Sequence, residues 1–69
     1  MIQKFEAAIY NEDVRKLVQD NLHHTLYKDI WADLNFIEVV ANTEEDAKRK
    51  LERKYPEGRG FRITQIYEL

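Results

Sequence analysis

The chain has 69 residues, of which 43% are hydrophobic and 35% are charged, a composition typical of one small globular domain over residues 1–69. It has no cysteine, which excludes a disulfide scaffold and favours a reducing, cytoplasmic environment. No segment matches the ~18 apolar residues of a membrane span, and the net charge of −2 gives no reason by itself to expect nucleic acid.

Two elements are predicted in the first third of the chain. Residues Ile2 to Tyr10 alternate in the period of two that is typical of a half-buried strand, with Phe5 and Ile9 facing the core. A helix is expected from about Asn11 to Leu22, because Asn is a favourable N-cap and apolar residues recur after it at helical spacing.

The segment from His23 to Asp33 follows neither period. It holds Trp31 and other large apolar side chains, too much apolar surface for an idle loop, so we expect it to pack on the rest of the protein. It lacks glycine and proline, and the sequence leaves open whether it contains a further helical turn.

The second half of the chain has the clearest pattern. A β-branched run from Leu34 to Ala41 has apolar side chains on both faces and is predicted to be the central strand. Thr43 is expected to cap a helix from about Glu44 to Lys54, which ends because the residue before Pro56 disfavours the helical conformation.

A last strand is predicted from Phe61 to Leu69, after a turn that Gly58 and Gly60 allow. Ile66 falls on the otherwise polar side of this strand. That position indicates either a β-bulge near Gln65 or an outer face covered by a partner.

Together these elements predict an α+β fold of β-α-β-α-β order, a three-stranded sheet with two helices packed mainly on one face. The direction of the first strand stays open. A single core of this size supplies no more than about 3–5 kcal/mol of stability, so we expect a homodimer, formed by pairing of sheet edges or burial of the second sheet face, to reinforce it.

The stretch from Ile37 to Ala47, followed by Tyr55-Pro56 and by Phe61 to Ile63, resembles a pattern found in small, uncharacterised open reading frames of phages and bacteria. That pattern is a strand, an Ala-x-Thr-x-x-x-Ala helix and a strand led by an aromatic residue. The resemblance covers about half the chain and implies a phage or bacterial origin and the architecture, but no active site.

The residues that carry chemistry give no reason to expect an enzyme, a metal site or a cofactor. There is no cysteine or serine to act as a nucleophile, and Gly58 and Gly60 follow a predicted helix instead of preceding one, as a phosphate-binding loop would. His23 and His24 lie near several aspartates but lack metal-ligand spacing, and a solvated helix end is the better interpretation.

Charge is unevenly distributed. From Lys48 to Arg62 there are seven basic and two acidic residues, a local charge of +5, so the rest of the chain is acidic. This stretch predicts nucleic-acid binding as the alternative function, although a charge run of this kind is usually a solvated helix face. The candidate residues for that function are Lys50, Lys54, Tyr55, Arg59 and Arg62.

The favoured prediction is a non-catalytic protein-interaction domain that binds a second copy or another protein. It rests on apolar side chains with no obvious place in the core, of kinds that are enriched at binding hot spots. The opposing interpretation is that Ile30 and Trp31 close one end of the core. The candidate residues for interaction are Tyr27, Ile30, Trp31, Ile66 and Tyr67.

Overall fold

A computed structural model describes residues 1–69 and has three strands and two helices in the predicted β-α-β-α-β order, so the α+β fold class is confirmed. Short 3-10 turns occupy Asp29–Ala32 and Glu57–Arg59. Neither α-helix has the length and apolar character needed to cross a membrane. The strands and helices are β1 (Gln3–Asn11), α1 (Glu12–Gln19), β2 (Asn35–Ala41), α2 (Glu44–Lys54) and β3 (Phe61–Glu68).

The sheet has the order β2-β1-β3, and both outer strands run antiparallel to β1. The prediction that the Leu34–Ala41 strand is central is therefore wrong. The central strand is β1, in which Ala7, Ala8 and Ile9 are all buried although they alternate between the two faces. β2 has apolar side chains on both faces because one face packs on the core and the other, although exposed, is also apolar.

The predicted bulge is confirmed in β3. Ala8 pairs with Gln65 and Ile9 pairs with Ile63, so no residue of β1 lies opposite Thr64 in the strand register. Since a bulge adds one residue to its strand, Ile63 and Ile66 both point to the same side of the sheet. Ile66 accordingly packs against the core clusters around Phe5 and Ile9.

The helix α2 packs on one face of the sheet and supplies Ala47 and Leu51 to the core. Its bounds match the prediction, and the Thr43 hydroxyl accepts a hydrogen bond from the Asp46 N–H at 3.1 Å, as an N-cap does. We call the opposite side of the sheet the open face. Its side chains are Lys4, Glu6, Ala8, Tyr10, Phe36, Glu38, Val40, Arg62, Gln65 and Tyr67.

The helix α1 ends at Gln19, so the prediction that it reaches Leu22 is wrong. Asn21 has a φ of 59°, and the Leu22 N–H donates to the Leu17 carbonyl at 2.8 Å while the Asn21 N–H donates to Val18 at 3.0 Å. This is the pattern of a Schellman motif, with Asn in the left-handed position that glycine usually fills. The motif satisfies the last carbonyls of α1 and stops it.

The connection between α1 and β2 contains one helical turn, a point that the sequence alone did not decide. The turn Asp29–Ala32 contacts α1, and the Arg15 Nε donates to the Ala32 carbonyl at 2.8 Å. Trp31 points from this turn to the aromatic rings of Tyr55 and Phe61, with centroid distances of 5.3 and 5.2 Å. The connection therefore closes one end of the core.

Candidate interaction surface

Among the residues of the strands and α-helices, the largest exposed apolar side chains lie on the open face. Phe36 and Val40 of β2 are 60% and 47% exposed, and Tyr67 of β3 is 39% exposed. Between β2 and β3, Ala8 pairs with Phe36 on one side and Gln65 on the other, and its side chain is only 1% exposed. Because Ala8 is smaller than its neighbours Phe36 and Gln65, the open face forms a shallow apolar surface across all three strands.

Ionic side chains divide this surface. Glu6 of β1 lies directly opposite Glu38 of β2, an arrangement of like charges that destabilises a sheet. Lys4 offsets it in part, because its Nζ is 3.8 Å from the Glu38 carboxylate. Both partners of that pair are well exposed, so the ion pair itself contributes little.

Tyr67 is held in place by its hydroxyl, which donates a hydrogen bond to the Glu6 carboxylate across the β1–β3 pair. This hydrogen bond raises the pKa of Tyr67, and desolvation and the nearby negative charge act in the same direction. The hydrogen bond thereby fixes the ring on the open face.

The helix α1 covers one end of the open face. The Arg15 guanidinium carbon lies 3.8 Å from the centre of the Tyr10 ring, and the Arg62 Nη2 is 2.8 Å from the Glu12 carboxylate. These contacts close the end of the sheet near Tyr10. The exposed apolar part therefore extends toward the opposite end, where Ile2 and Leu69 are also exposed.

The five side chains predicted for protein interaction lie in different parts of the structure. Tyr27, Trp31 and Ile66 pack against the core cluster around Ile9 and Phe61, which agrees with the interpretation that such residues close the core. Ile30 is 61% exposed beside Trp31, on the 3-10 turn. Tyr67 is the one candidate that lies on the open face.

The five side chains predicted for nucleic-acid binding are mostly engaged within the chain. Arg62 pairs with Glu12, the Lys50 Nζ donates to the Val40 carbonyl at 2.6 Å, and the Arg59 guanidinium donates to the Tyr27 hydroxyl at 3.5 Å. Tyr55 packs against Trp31 and Phe61 instead of standing free for base stacking, and the Lys54 Nζ lies 5.7 Å from the centre of the Tyr55 ring. Nucleic-acid binding stays a prediction that no contact favours.

The two histidines form local contacts. The His23 Nδ1 lies 2.8 Å from the Asp29 carboxylate, and the His24 Nδ1 accepts from the Leu26 N–H at 3.0 Å. The His24 contact orders the connection after α1. Nowhere do three or more His, Cys, Asp or Glu side chains come together in a way that would hold a metal ion.

Comparison with known protein families, with curated proteins and with solved structures found no match to this chain. The resemblance to small phage and bacterial reading frames therefore stays a prediction.

Phe36 and Val40 were not among the predicted interaction residues, although a signal for them was present. In β2, Phe36, Glu38 and Val40 alternate with Ile37, Val39 and Ala41. Glutamate is almost never fully buried without a partner, so Glu38 marks the face of β2 that points to solvent. Phe36 and Val40 share that face.

Proposed function

We propose that this chain is a non-catalytic protein-interaction domain that self-associates by packing the open faces of two copies against each other. The observation that supports it is the exposure of Phe36, Val40 and Tyr67 on a sheet face that α1 covers at one end only. Apolar side chains grouped on one sheet face and bordered by polar residues often mark a protein interaction site.

The charges of the open face favour a second copy as the partner. The face holds carboxylates, Glu6 and Glu38, and cations, Lys4 and Arg62. In a two-fold dimer the same surface of each copy meets at the interface. A surface with both positive and negative side chains can therefore pair the cations of one copy with the carboxylates of the other. A cation from the second copy near Glu6 and Glu38 would relieve their repulsion.

The size of the face predicts a weak dimer. Three strands of about eight residues span roughly 14 by 27 Å, so the sheet alone offers less than the ~800 Å² per partner of a standard stable interface. We therefore expect a dissociation constant in the micromolar range or above. Self-association of this strength depends on protein concentration.

Sedimentation velocity over a concentration series tests the proposal. Phe36→Glu replaces the largest exposed apolar side chain of the open face with a charge and is expected to leave a monomer at all concentrations. Leu26→Glu is the matched control, because Leu26 is 73% exposed on the connection after α1 and not on the open face. A wild-type chain that stays monomeric into the millimolar range, or a Leu26→Glu variant that dissociates equally, would overturn the proposal.

A further inference from the structure

The backbone of β3 has a free edge, and the register shows which groups point outward. The Leu69 N–H donates to the Lys4 carbonyl at 2.9 Å, and the Glu12 N–H donates to the Gly60 carbonyl at 2.7 Å. Because bonded and non-bonded pairs alternate in an antiparallel ladder, the even-numbered residues of β1 bond to β3. Ile66 and Glu68 of β3 therefore direct their N–H and C=O groups away from β1.

The other edge of the sheet, along β2, is partly occupied. The odd-numbered residues of β1 bond to β2, so Val40 points its backbone groups outward, and the Lys50 Nζ of α2 donates to its carbonyl at 2.6 Å. A side chain that covers an outward backbone group hinders pairing with another chain at that position. In β3 the only comparable contact is at its start, from Arg62 to the Phe61 carbonyl.

A groove runs beside the free edge, between β3 and α2. It consists of two adjoining cavities of about 420 and 240 Å³ that share Lys48 and Ile63. Ile63 and Ile66 give it an apolar floor on the covered side of the sheet. The wall is formed by α2, with Glu44, Lys48 and Glu52 spaced one helical turn apart.

The groove is acidic, unlike the rest of α2. Its side chains include four carboxylates but only two cations, and one of these cations, Arg62, is paired with Glu12 outside the groove. Glu44, Glu52 and Glu57 have no cation within ion-pair distance. A segment that enters the groove with basic side chains would supply the missing counter-charges.

We propose that the β3 edge and this groove bind an extended peptide segment with basic side chains at alternate positions, which adds as a fourth strand. In an added strand every second side chain points toward α2. The stems of Lys or Arg would cover Ile63 and Ile66, and their charged ends would reach Glu44 and Glu52. The apolar floor of this site lies on the opposite side of the sheet from Phe36, Val40 and Tyr67, so the site does not depend on self-association.

NMR with a synthetic peptide tests the site. The probe is a nine-residue peptide that alternates arginine and valine. We expect the amides of Ile66 and Glu68 to exchange more slowly when it is bound, because they gain acceptors in the added strand. The Tyr67 amide already bonds to β1 and is the internal control, since its exchange should not change.

Two controls separate strand addition from simple charge attraction. The same peptide with every backbone nitrogen methylated keeps the charge and the side chains but has no N–H to donate to β3, and we expect it not to protect these amides. The double variant Glu44→Gln/Glu52→Gln should weaken binding of the arginine peptide about three- to tenfold, as the loss of two exposed ion pairs predicts. The variant Asp20→Asn/Asp33→Asn has the same net charge, with both changes outside the groove, and should bind normally.

Several outcomes would overturn the proposal: equal binding of the N-methylated peptide, equal weakening by both double variants, or no change at Ile66 and Glu68. Protection of these two amides in the dilute, peptide-free chain would show that the β3 edge is not free, which also contradicts it. The open-face variant Phe36→Glu should still bind the peptide, so failure of the self-association proposal is distinguishable from failure of this one.

Discussion

Glu6 and Glu38 lie directly opposite each other in the neighbouring antiparallel strands β1 and β2. Two like charges in this position destabilise the sheet of a single chain. Glu6 accepts a hydrogen bond from Tyr67, and Glu38 is 3.8 Å from Lys4. Each carboxylate therefore has one contact that partly offsets the repulsion. A net repulsion between these two strands therefore remains on the open face.

Replacing Glu38 is therefore expected to stabilise the monomer. Glu38→Thr removes the repulsion and introduces a residue that favours strands, and it should raise the free energy of unfolding by about 0.5 kcal/mol. Urea denaturation at a concentration where the chain is monomeric measures this. A loss of stability above about 1 kcal/mol would mean that the Lys4–Glu38 pair outweighs the repulsion.

Asn11 joins two parts of the fold through one buried side chain. Its Oδ1 accepts from the Val14 N–H at 3.1 Å and caps α1, while its Nδ2 donates to the Arg59 carbonyl at 3.1 Å. Asn11→Ala removes both bonds and is expected to cost about 2 kcal/mol or more of the free energy of unfolding. Thr43→Ala is the matched control, since it removes an exposed cap alone, and it should cost about 1 kcal/mol. Equal losses in the two variants would show that the bond to Arg59 contributes nothing.

The two glycines of the turn before β3 are expected to respond differently to substitution. Gly60 has a φ of 95°, and a Cβ there would lie 2.6 Å from the Asp13 carboxylate and 2.7 Å from the Asn11 Oδ1. Gly60→Ala should therefore lower the free energy of unfolding by about 1–3 kcal/mol. A Cβ at Gly58 meets nothing within 4 Å, so thermal unfolding of Gly58→Ala should be nearly unchanged. If both variants melt like the wild type, the left-handed turn is described wrongly.

The hydrogen bond between Tyr67 and Glu6 is expected to appear in the alkaline titration. It raises the pKa of Tyr67, so it contributes stability below the ordinary tyrosine pKa of about 10, and this contribution is lost as the pH rises through the folded-state value. Glu6→Gln should lower the pKa of Tyr67 toward its ordinary value, because the negative charge of the acceptor is removed. NMR of the Tyr67 ring as a function of pH, in the wild type and in Glu6→Gln, follows this. The same midpoint in both proteins would contradict the assignment.

The element order was predictable because its signals are local. The capping Thr43, the proline that follows Tyr55 and the extra residue near Gln65 each act within a few positions, and the structure confirms the α2 bounds and the bulge. The C-terminus of α1 was missed because Asn21 takes the left-handed position of a Schellman motif, for which glycine is the usual signal.

Strand order and the exposed surface were harder to predict because they depend on non-local pairing. The two apolar faces of β2 suggested a central strand, yet β1 takes that place with Ala7 and Ala8, whose small side chains are buried on opposite faces. The sequence left Trp31 open between an interface and the end of the core, because nothing in it shows that Trp31 meets Tyr55 and Phe61. Such contacts follow from topology, not from local pattern.

Self-association through the open face is tested most directly by isotope-filtered NMR on a mixture of labelled and unlabelled chain at high concentration. The account predicts contacts between copies from the Phe36 ring to Val40 and Tyr67, and their loss in Phe36→Glu. An absence of contacts between copies, or contacts confined to Leu26 and Ile30, would contradict it.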